Sequence, residues 1–429
     1  MKILIQIILI LSLMLGCQSR DKNDPVYLWL LSSLTQNSLE TNSNSTLNSS
    51  NTLTSNFSMD VNDISGNPEF LFNNFEEVNV EITIQDAFNT DVTPIIRIMQ
   101  YTEEVKMNLF TATPDPSGNV SGSFSYDINS PHAILELIYN GETFTYDIDL
   151  TGLVEINRII KINGNVVQVV IVDSDSDGIP DSEDLYPNDP TRSSMVKTSG
   201  SSYLTVAYED LYPKQGDADF NDYVVRVSTE EDLDSMGKVK RIRGSYEHVA
   251  KGAGYNHKLF FRLPDGVSGT YTLKRFSSDG NLEETISGNL NNDIEILPES
   301  KSTLPTWNSK KGETPSKGKK AELEIILDQS IDKKLLSMSP YDLFLFVINT
   351  GHEIHFLGKY KNEDGTDNYL DQGGFPWAIS IPGIWQHPYE STDIRNSYSN
   401  FKNWYESRGS NYNDWYLTPN TNYVFPVVE

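Results

Sequence analysis

The chain reads as mainly β, with a small antiparallel sandwich, an acidic linker and a larger β-rich domain carrying one late helix. Three observations predict this. Apolar and polar residues alternate over short runs, as in "VNVEITI", where Val78, Val80, Ile82 and Ile84 are interleaved with Asn79, Glu81 and Thr83. Such alternation gives a strand with one buried and one wet face. Turn dipeptides recur, among them Asn140-Gly141 and Asn163-Gly164, and both central residues of a two-residue hairpin turn need positive φ. Helical spacing of apolar residues is convincing only near the C-terminus.

Residues 1–16 read as a signal peptide. "MKILIQIILILSLMLGC" carries one cation, Lys2, an apolar run from Ile3 to Leu15, then Gly16-Cys17. The run is shorter than the roughly 20 apolar residues of a membrane span. A signal that ends in a small residue before the chain's single cysteine resembles a bacterial lipoprotein signal, although Leu15 departs from the small residue usual there. The resemblance implies acylation of Cys17; the alternative is a buried spare thiol. Each buried CH₂ of an acyl chain contributes about 0.8 kcal/mol, so several chains would anchor the protein to a membrane. Gln18 follows Cys17 in place of the Asp that retains some lipoproteins in the inner membrane, which favours the outer membrane. A single cysteine excludes a disulfide framework.

Residues 17–58 continue as a tether. After an apolar patch from Val26 to Leu34, the stretch Thr35 to Ser58 is mostly Ser, Thr and Asn. It buries too little apolar surface to offset the entropy of ordering. Residues 59–172 then carry the alternating pattern, including "NVSGSFSYDI" and "HAILELIYNGETFTYDIDL". Short strands at close spacing predict an immunoglobulin-like or transthyretin-like sandwich. This region shows no nucleophile motif and no Gly-rich phosphate loop.

Residues 173–190, "DSDSDGIPDSEDLYPNDP", concentrate carboxylates at Asp173, Asp175, Asp177, Asp181, Glu183 and Asp184 with no Lys or Arg among them. Calcium takes about six to eight hard oxygens, and a short loop can wrap them round one ion. Asp173, Asp175 and Asp177 stand at alternate positions and Gly178 follows where the loop must turn sharply. Ile179 would offer its backbone carbonyl, Asp181 would bind directly or through water, and Asp184 closes the loop. Pro187 and Pro190 forbid an EF-hand helix, so the pattern resembles the extended calcium repeats of thrombospondin type 3. The other reading is a solvated acidic linker.

Residues 191–429 open with "YLTVAYEDLYPKQGDADFNDYVVRV". Glu209, Asp210, Asp217, Asp219, Asn221 and Asp222 repeat the alternate spacing without a glycine after the third position. Two readings stand side by side: a second calcium site, or a turn in which Asp and Asn accept from backbone N–H groups. Here "EDLYPKQGDADFNDYVV" resembles the signature of the bacterial LruC domain. "YPNDPTR", "HVAKGAGYNHKLFFRLP", "YDLFLFVINTGHEIHF", "FPWAISIPG" and "TDIRNSYSNFKNWYESRGS" are similar to further segments of that family, with His352 where Arg is usual. The likeness covers about Asp173 to Tyr416. It implies an envelope or secreted bacterial protein, often a lipoprotein, and offers no catalytic residues. The late helix is predicted from Ile394, Tyr398, Phe401, Trp404 and Tyr405, capped by Ser391 or Thr392 and ended before Gly409.

A net charge of −27 excludes nucleic acid as a partner, since that binding rests on neutralising phosphates with cations. "HEIH" spaces His352 and His355 three apart in a strand context, on opposite faces, unlike a helical zinc pair. G-x-S-x-G is absent. The expected function is a calcium-stabilised cell-envelope lipoprotein, a structural or adhesive binding module without catalysis, whose partner is an envelope or host protein or a glycan. One alternative is a glycan-binding surface module, because Trp377, Trp385, Trp404 and Trp415 cluster late in the chain and aromatic faces stack on sugars. Core packing is the commoner use of such rings and is the reading preferred for them. The remaining alternative is a hydrolase.

Overall fold

The computed structural model describes residues 71–427 except 86–91, 102–105, 163–171, 199–202, 253, 292 and 372–373. Cys17, the signal and tether segments, and Asn163-Gly164 lie outside the described residues. Among the described residues, no helix is long and apolar enough to cross a membrane.

The fold is mainly β, with only short helices. The first part holds β1 (Phe75–Gln85), β2 (Ile95–Tyr101), β3 (Lys106–Ala112), β4 (Asn119–Asp127), β5 (His132–Tyr139), β6 (Glu142–Asp149) and β7 (Glu155–Lys161). They form one sheet of order β4-β1-β7 and another of order β3-β2-β5-β6. The alternation in β1 works as expected: Val78, Val80, Ile82 and Ile84 are buried and the residues between them are partly exposed. Asn140 and Gly141 take φ of 54° and 77° and close the β5–β6 hairpin. One pair departs from the antiparallel expectation. β7 runs parallel to β1, bringing Ile156 and Ile160 into the same core as the buried side of β1.

The larger part holds β8 (Ser194–Lys197), β9 (Leu204–Tyr208), β10 (Tyr223–Leu233), β11 (Val239–Ala250), β12 (His257–Arg262) and β13 (Gly269–Phe276). It continues with β14 (Leu282–Asn289), β15 (Ile294–Leu297), β16 (Lys320–Ile331), β17 (Asp342–Val347), β18 (His352–Ile354) and β19 (Ala378–Pro382). An eight-stranded sheet runs β14-β13-β16-β11-β10-β9-β19 with β8 also on β10, and a four-stranded sheet runs β15-β12-β17-β18. The start of β10, Tyr223 to Val227, is buried at every residue, with Arg226 among them paired to Glu247, so burial there does not alternate.

The late helix and its cap correct the sequence reading, and the tryptophans follow the preferred one. The late helix is two short pieces, Ile394–Ser397 and Phe401–Glu406, separated by the extended Tyr398. Ile394, Tyr398, Phe401 and Trp404 are all buried, so the spacing found the buried face. The break comes at Tyr398, whose hydroxyl donates to the Gln386 carbonyl at 2.7 Å. Neither Ser391 nor Thr392 caps the first piece; Asp393 accepts from the Arg395 amide. The four late tryptophans are core residues, none more than 5% exposed. Trp404 and Trp415 have ring centroids 5.4 Å apart, and Trp385 stacks on Tyr398. Their faces are used by packing and are closed to a sugar.

The two parts have separate apolar cores but touch directly. Phe72 and Phe75, at the start of the described chain, belong to the larger core, and Phe72 meets Trp404 edge-on at 5.9 Å. The Thr113 N–H donates to the Ser235 carbonyl at 2.7 Å, and Lys334 pairs with Glu81 at 2.8 Å.

Candidate functional site

Two groups of acidic oxygens stand out. The loop after Val172 folds on its own amides. Asp173 accepts from the Ser176 and Gly178 N–H groups, Asp175 from Asp177, and Asp177 from Ile179. Ser176 and Gly178 take φ of 66° and 96°, the sharp turn anticipated for Gly178. Asp181 closes the loop by accepting from the Ser174 amide and hydroxyl, both at 2.7 Å. Asp184 accepts from the Tyr186 amide, and the Ile179 side chain is buried beneath the loop.

One carboxylate oxygen from each of Asp173, Asp175 and Asp177 lies within 4.8 Å of the others. Asp175 Oδ2, Asp177 Oδ2 and Asp184 Oδ2 are buried atoms with no hydrogen-bond donor. Carboxylate oxygens left this way carry a desolvation cost unless something positive reaches them. Burial, with the charges of Asp175, Asp184 and Asp173, pushes the Asp177 carboxyl up to about 6; burial raises Asp184 as well. The loop is tied at both ends. Glu183 pairs with Arg97 of β2 at 2.9 Å. On the other side Arg192 packs over the Tyr186 ring and reaches the buried Asp232 of β10 at 3.3 Å.

The second group sits between β9 and β10. Glu209, Asp210, Asp219, Asn221 and Asp222 are buried, whereas Asp217 is exposed. Glu209, Asp217 and Asp219 each bring an oxygen within 4.8 Å of the other two. The turn that does this places Ala218 and Phe220 at φ of 56° and 49°, so the acids at 217 and 219 can converge. Glu209 Oε1 accepts from the Phe220 amide at 2.6 Å, while Glu209 Oε2 is buried without a donor. A Cβ at Gly216 would stand 2.0 Å from that oxygen, so only glycine leaves the space open. Asp219 accepts from the amides of Asn221 and Ser391. Asp210 is different: its Oδ2 bonds the His257 imidazole Nε2 at 2.9 Å, which gives it a partner of its own.

Burial is the main cause of the electrostatics here. It pushes Glu209 up to about 8 and Asp219 up to about 9, and raises Asp222 well above the carboxylate range. The charges that add to it are all carboxylates. This set therefore takes up protons or holds a cation, because several buried anions cannot share a dry site unpaired. The turn reading also finds support, since Asp219 makes the expected bond to Asn221 N–H. It leaves Glu209 Oε2 unexplained.

The sequence brought the six signature residues to one place but did not separate their roles. It missed His257 and Ser391, which lie 47 and 172 residues from their partners and carry no local signal. His352 and His355 do not converge. His352 packs edge-on against Tyr212, and His355 bonds Asp342 at 2.7 Å and Glu353 at 3.1 Å.

Residues 237–416 match the profile of a domain of unknown function, DUF4842. The match begins after β10, so both acidic groups precede it. No curated protein matches the chain. Among solved structures, a Bacteroides ovatus protein provisionally described as a lipoprotein is similar at 13% identity and TM-score 0.48, over 78% of this chain and 99% of that one. A carbohydrate-binding module of the β-sandwich superfamily aligns at 8% identity and TM-score 0.14, over 65% of this chain and 93% of that one.

Proposed function

We propose that the protein is a calcium-stabilised lipoprotein of the bacterial cell envelope, acting as a structural or binding module without catalysis. One observation carries the calcium reading: Asp175 Oδ2, Asp177 Oδ2 and Asp184 Oδ2 are buried and donorless on one short loop. The loop is anchored to the sandwich through Glu183–Arg97 and to the larger domain through Arg192–Asp232. An ion among Asp173, Asp175, Asp177, Asp184 and the Ile179 carbonyl would turn a self-repelling linker into a strut between the two parts. The Glu209, Asp217 and Asp219 oxygens are read the same way. The lipoprotein reading rests on Cys17 behind its apolar signal, and the envelope setting on the LruC-like signature from Glu209 to Val225.

The test is calorimetry with calcium on the full chain beside the Asp173→Asn/Asp177→Asn variant. We expect binding at or below roughly millimolar calcium, the range of extracellular modules, with a rise in melting temperature that the variant diminishes. No heat and no stabilisation at that concentration would return the loop to a solvated linker.

Glycan binding is a second reading, supported by a different place from the tryptophans. A groove of about 350 Å³ crosses the eight-stranded sheet, lined by Ser228, Arg243, Ser245, Thr272, Lys274 and Glu322 with their neighbours. Its polar rows offer hydrogen-bonding groups that suit hydroxylated ligands. A glycan array that stays blank for the wild type would remove this reading; binding lost in Arg243→Ala would support it.

A further inference from the structure

The groove on the eight-stranded sheet owes its shape to two small side chains. Ser228 of β10 and Ser245 of β11 stand opposite each other in register, and Glu322 of β16 and Lys274 of β13 continue the same cross-strand row. Residues paired in register share one face of a sheet. The next row along the strands carries Glu230, Arg243, Glu324 and Thr272. On the other side stand Arg226, Glu247 and Lys320. Short hydroxyls between two rows of long side chains leave a trough of about 350 Å³. The row from Ser228 to Lys274 runs roughly 14 Å across four strands.

Each acid that lines the trough already has a cation. Glu230 pairs with Arg243 at 3.2 Å, Glu324 with Arg241 at 3.2 Å and Glu322 with Lys320 at 3.0 Å. Arg243 is held a second time by the fully buried Asp232 at 2.8 Å. Lys274 differs from these. It is exposed and faces Glu322 in register, but Glu322 is turned to Lys320, and among the described residues Lys274 has no ion pair or hydrogen bond. The Ser228 and Ser245 hydroxyls are half-buried and are likewise without a partner among the described residues. The capacity left unused is therefore two hydroxyls on the floor and one ammonium toward the β13 end. A serine hydroxyl both donates and accepts, whereas the ammonium only donates and carries a localised charge.

An extended peptide has no strand edge to join here, because β10, β11, β16 and β13 are all interior strands of the sheet. The trough also offers no apolar pocket for a side chain, since its side walls are charged. A sugar chain needs neither. We infer that the trough takes an anionic glycan, its ring hydroxyls bonded to Ser228 and Ser245 and its carboxylate or sulfate paired with Lys274. This inference rests on the glycan reading of the groove and names the class of glycan. Ser245 and Lys274 are two strand spacings apart, roughly 10 Å, so the ligand is a disaccharide or longer with its charge set off from the ring on the floor. The order of the row also fixes its direction: uncharged ring over β10 and β11, charge toward β13.

The test measures binding of three oligosaccharides of equal length to the full chain by calorimetry: an oligogalacturonate, its neutral methyl ester and a sulfated neutral chain. Wild type, Lys274→Gln and Ser245→Tyr are compared, with melting temperature as the check on folding. At least one charged chain should bind about tenfold more tightly than the ester, the worth of a hydrogen bond to a charged group. Which of the two does so separates carboxylate from sulfate. Lys274→Gln should remove the preference for charge, and Ser245→Tyr, which fills the trough, should weaken every chain that binds. Equal binding of charged and neutral chains, or a preference that survives Lys274→Gln, overturns the inference and leaves the glycan reading standing. Binding that Ser245→Tyr does not weaken places the ligand elsewhere and also overturns it; if that variant does not fold, Lys274→Gln decides. No binding of any chain to the wild type removes the glycan reading and the inference with it.

Discussion

The loop at Asp173 and the turn at Asp219 use the same device at different depths. Both space carboxylates at alternate residues, and both leave oxygens without donors. The loop acids are half-buried and fold onto the loop's own amides, and Asp177 rises only to about 6. The turn acids are nearly all buried, and Glu209 and Asp219 rise to about 8 and about 9. Spacing sets which oxygens can meet, whereas depth sets how strongly they need a partner. Near the surface, water can stand in for an ion. In the interior the choices narrow to a proton or a cation.

The largest expected effect tests that contrast directly. Glu209 and Asp219 have folded values above their unfolded ones of about 4, so the folded state holds more protons between those limits. Their contribution is present at low pH and is lost as pH rises through about 8 and about 9. Among the described residues, the charges acting on them are those of other carboxylates, which do not reverse the sign. In chelator, melting temperature should fall by roughly 10 °C from pH 5 to pH 9, and calcium should remove most of that slope. A flat profile in chelator would erase the difference between the two regions.

A smaller effect comes from changing one buried charge. Asp219→Asn should raise stability in chelator at pH 8 by about 1–3 kcal/mol, because it removes the cost of burying and protonating a carboxylate among other acids. The same variant should lose much of its response to calcium, as read by thermal melts with and without the ion. Stabilisation that persists together with a full calcium response would place the ion elsewhere. The smallest effect belongs to the loop's outer tie. Glu183→Gln weakens the half-exposed contact to Arg97 and should cost about 0.5 kcal/mol in urea unfolding, with little change in calcium affinity. A cost of several kcal/mol would show that the loop's docking on the sandwich depends on this pair.

The strands of the sandwich were legible because burial in β1 follows the period of two from Val78 to Gln85. The Asn140-Gly141 hairpin was legible because its turn chemistry is local. The parallel docking of β7 was not, since no feature of "EINRIIK" tells which neighbour it will meet. The late helix kept its buried face and lost its continuity, because packing of Tyr398 overrode helical spacing. The tryptophans took the preferred core reading: four large aromatics near one another fit a platform or a core, and burial separates the two. At the candidate site, the acids from Glu209 to Asp222 lie within one short segment and announce themselves. His257 and Ser391 are brought to it by long-range folding.

The placement of the first described residues has a mechanical consequence. Phe72 and Phe75 sit in the larger core rather than in the sandwich whose first strand they begin, and the Asn74 side chain donates to the Asn413 carbonyl at 2.7 Å. A pull on the N-terminal side would load the aromatic floor around Trp404 before it reached the small sheets. The sandwich would hang off the force-bearing line and keep its shape while the larger domain took the strain.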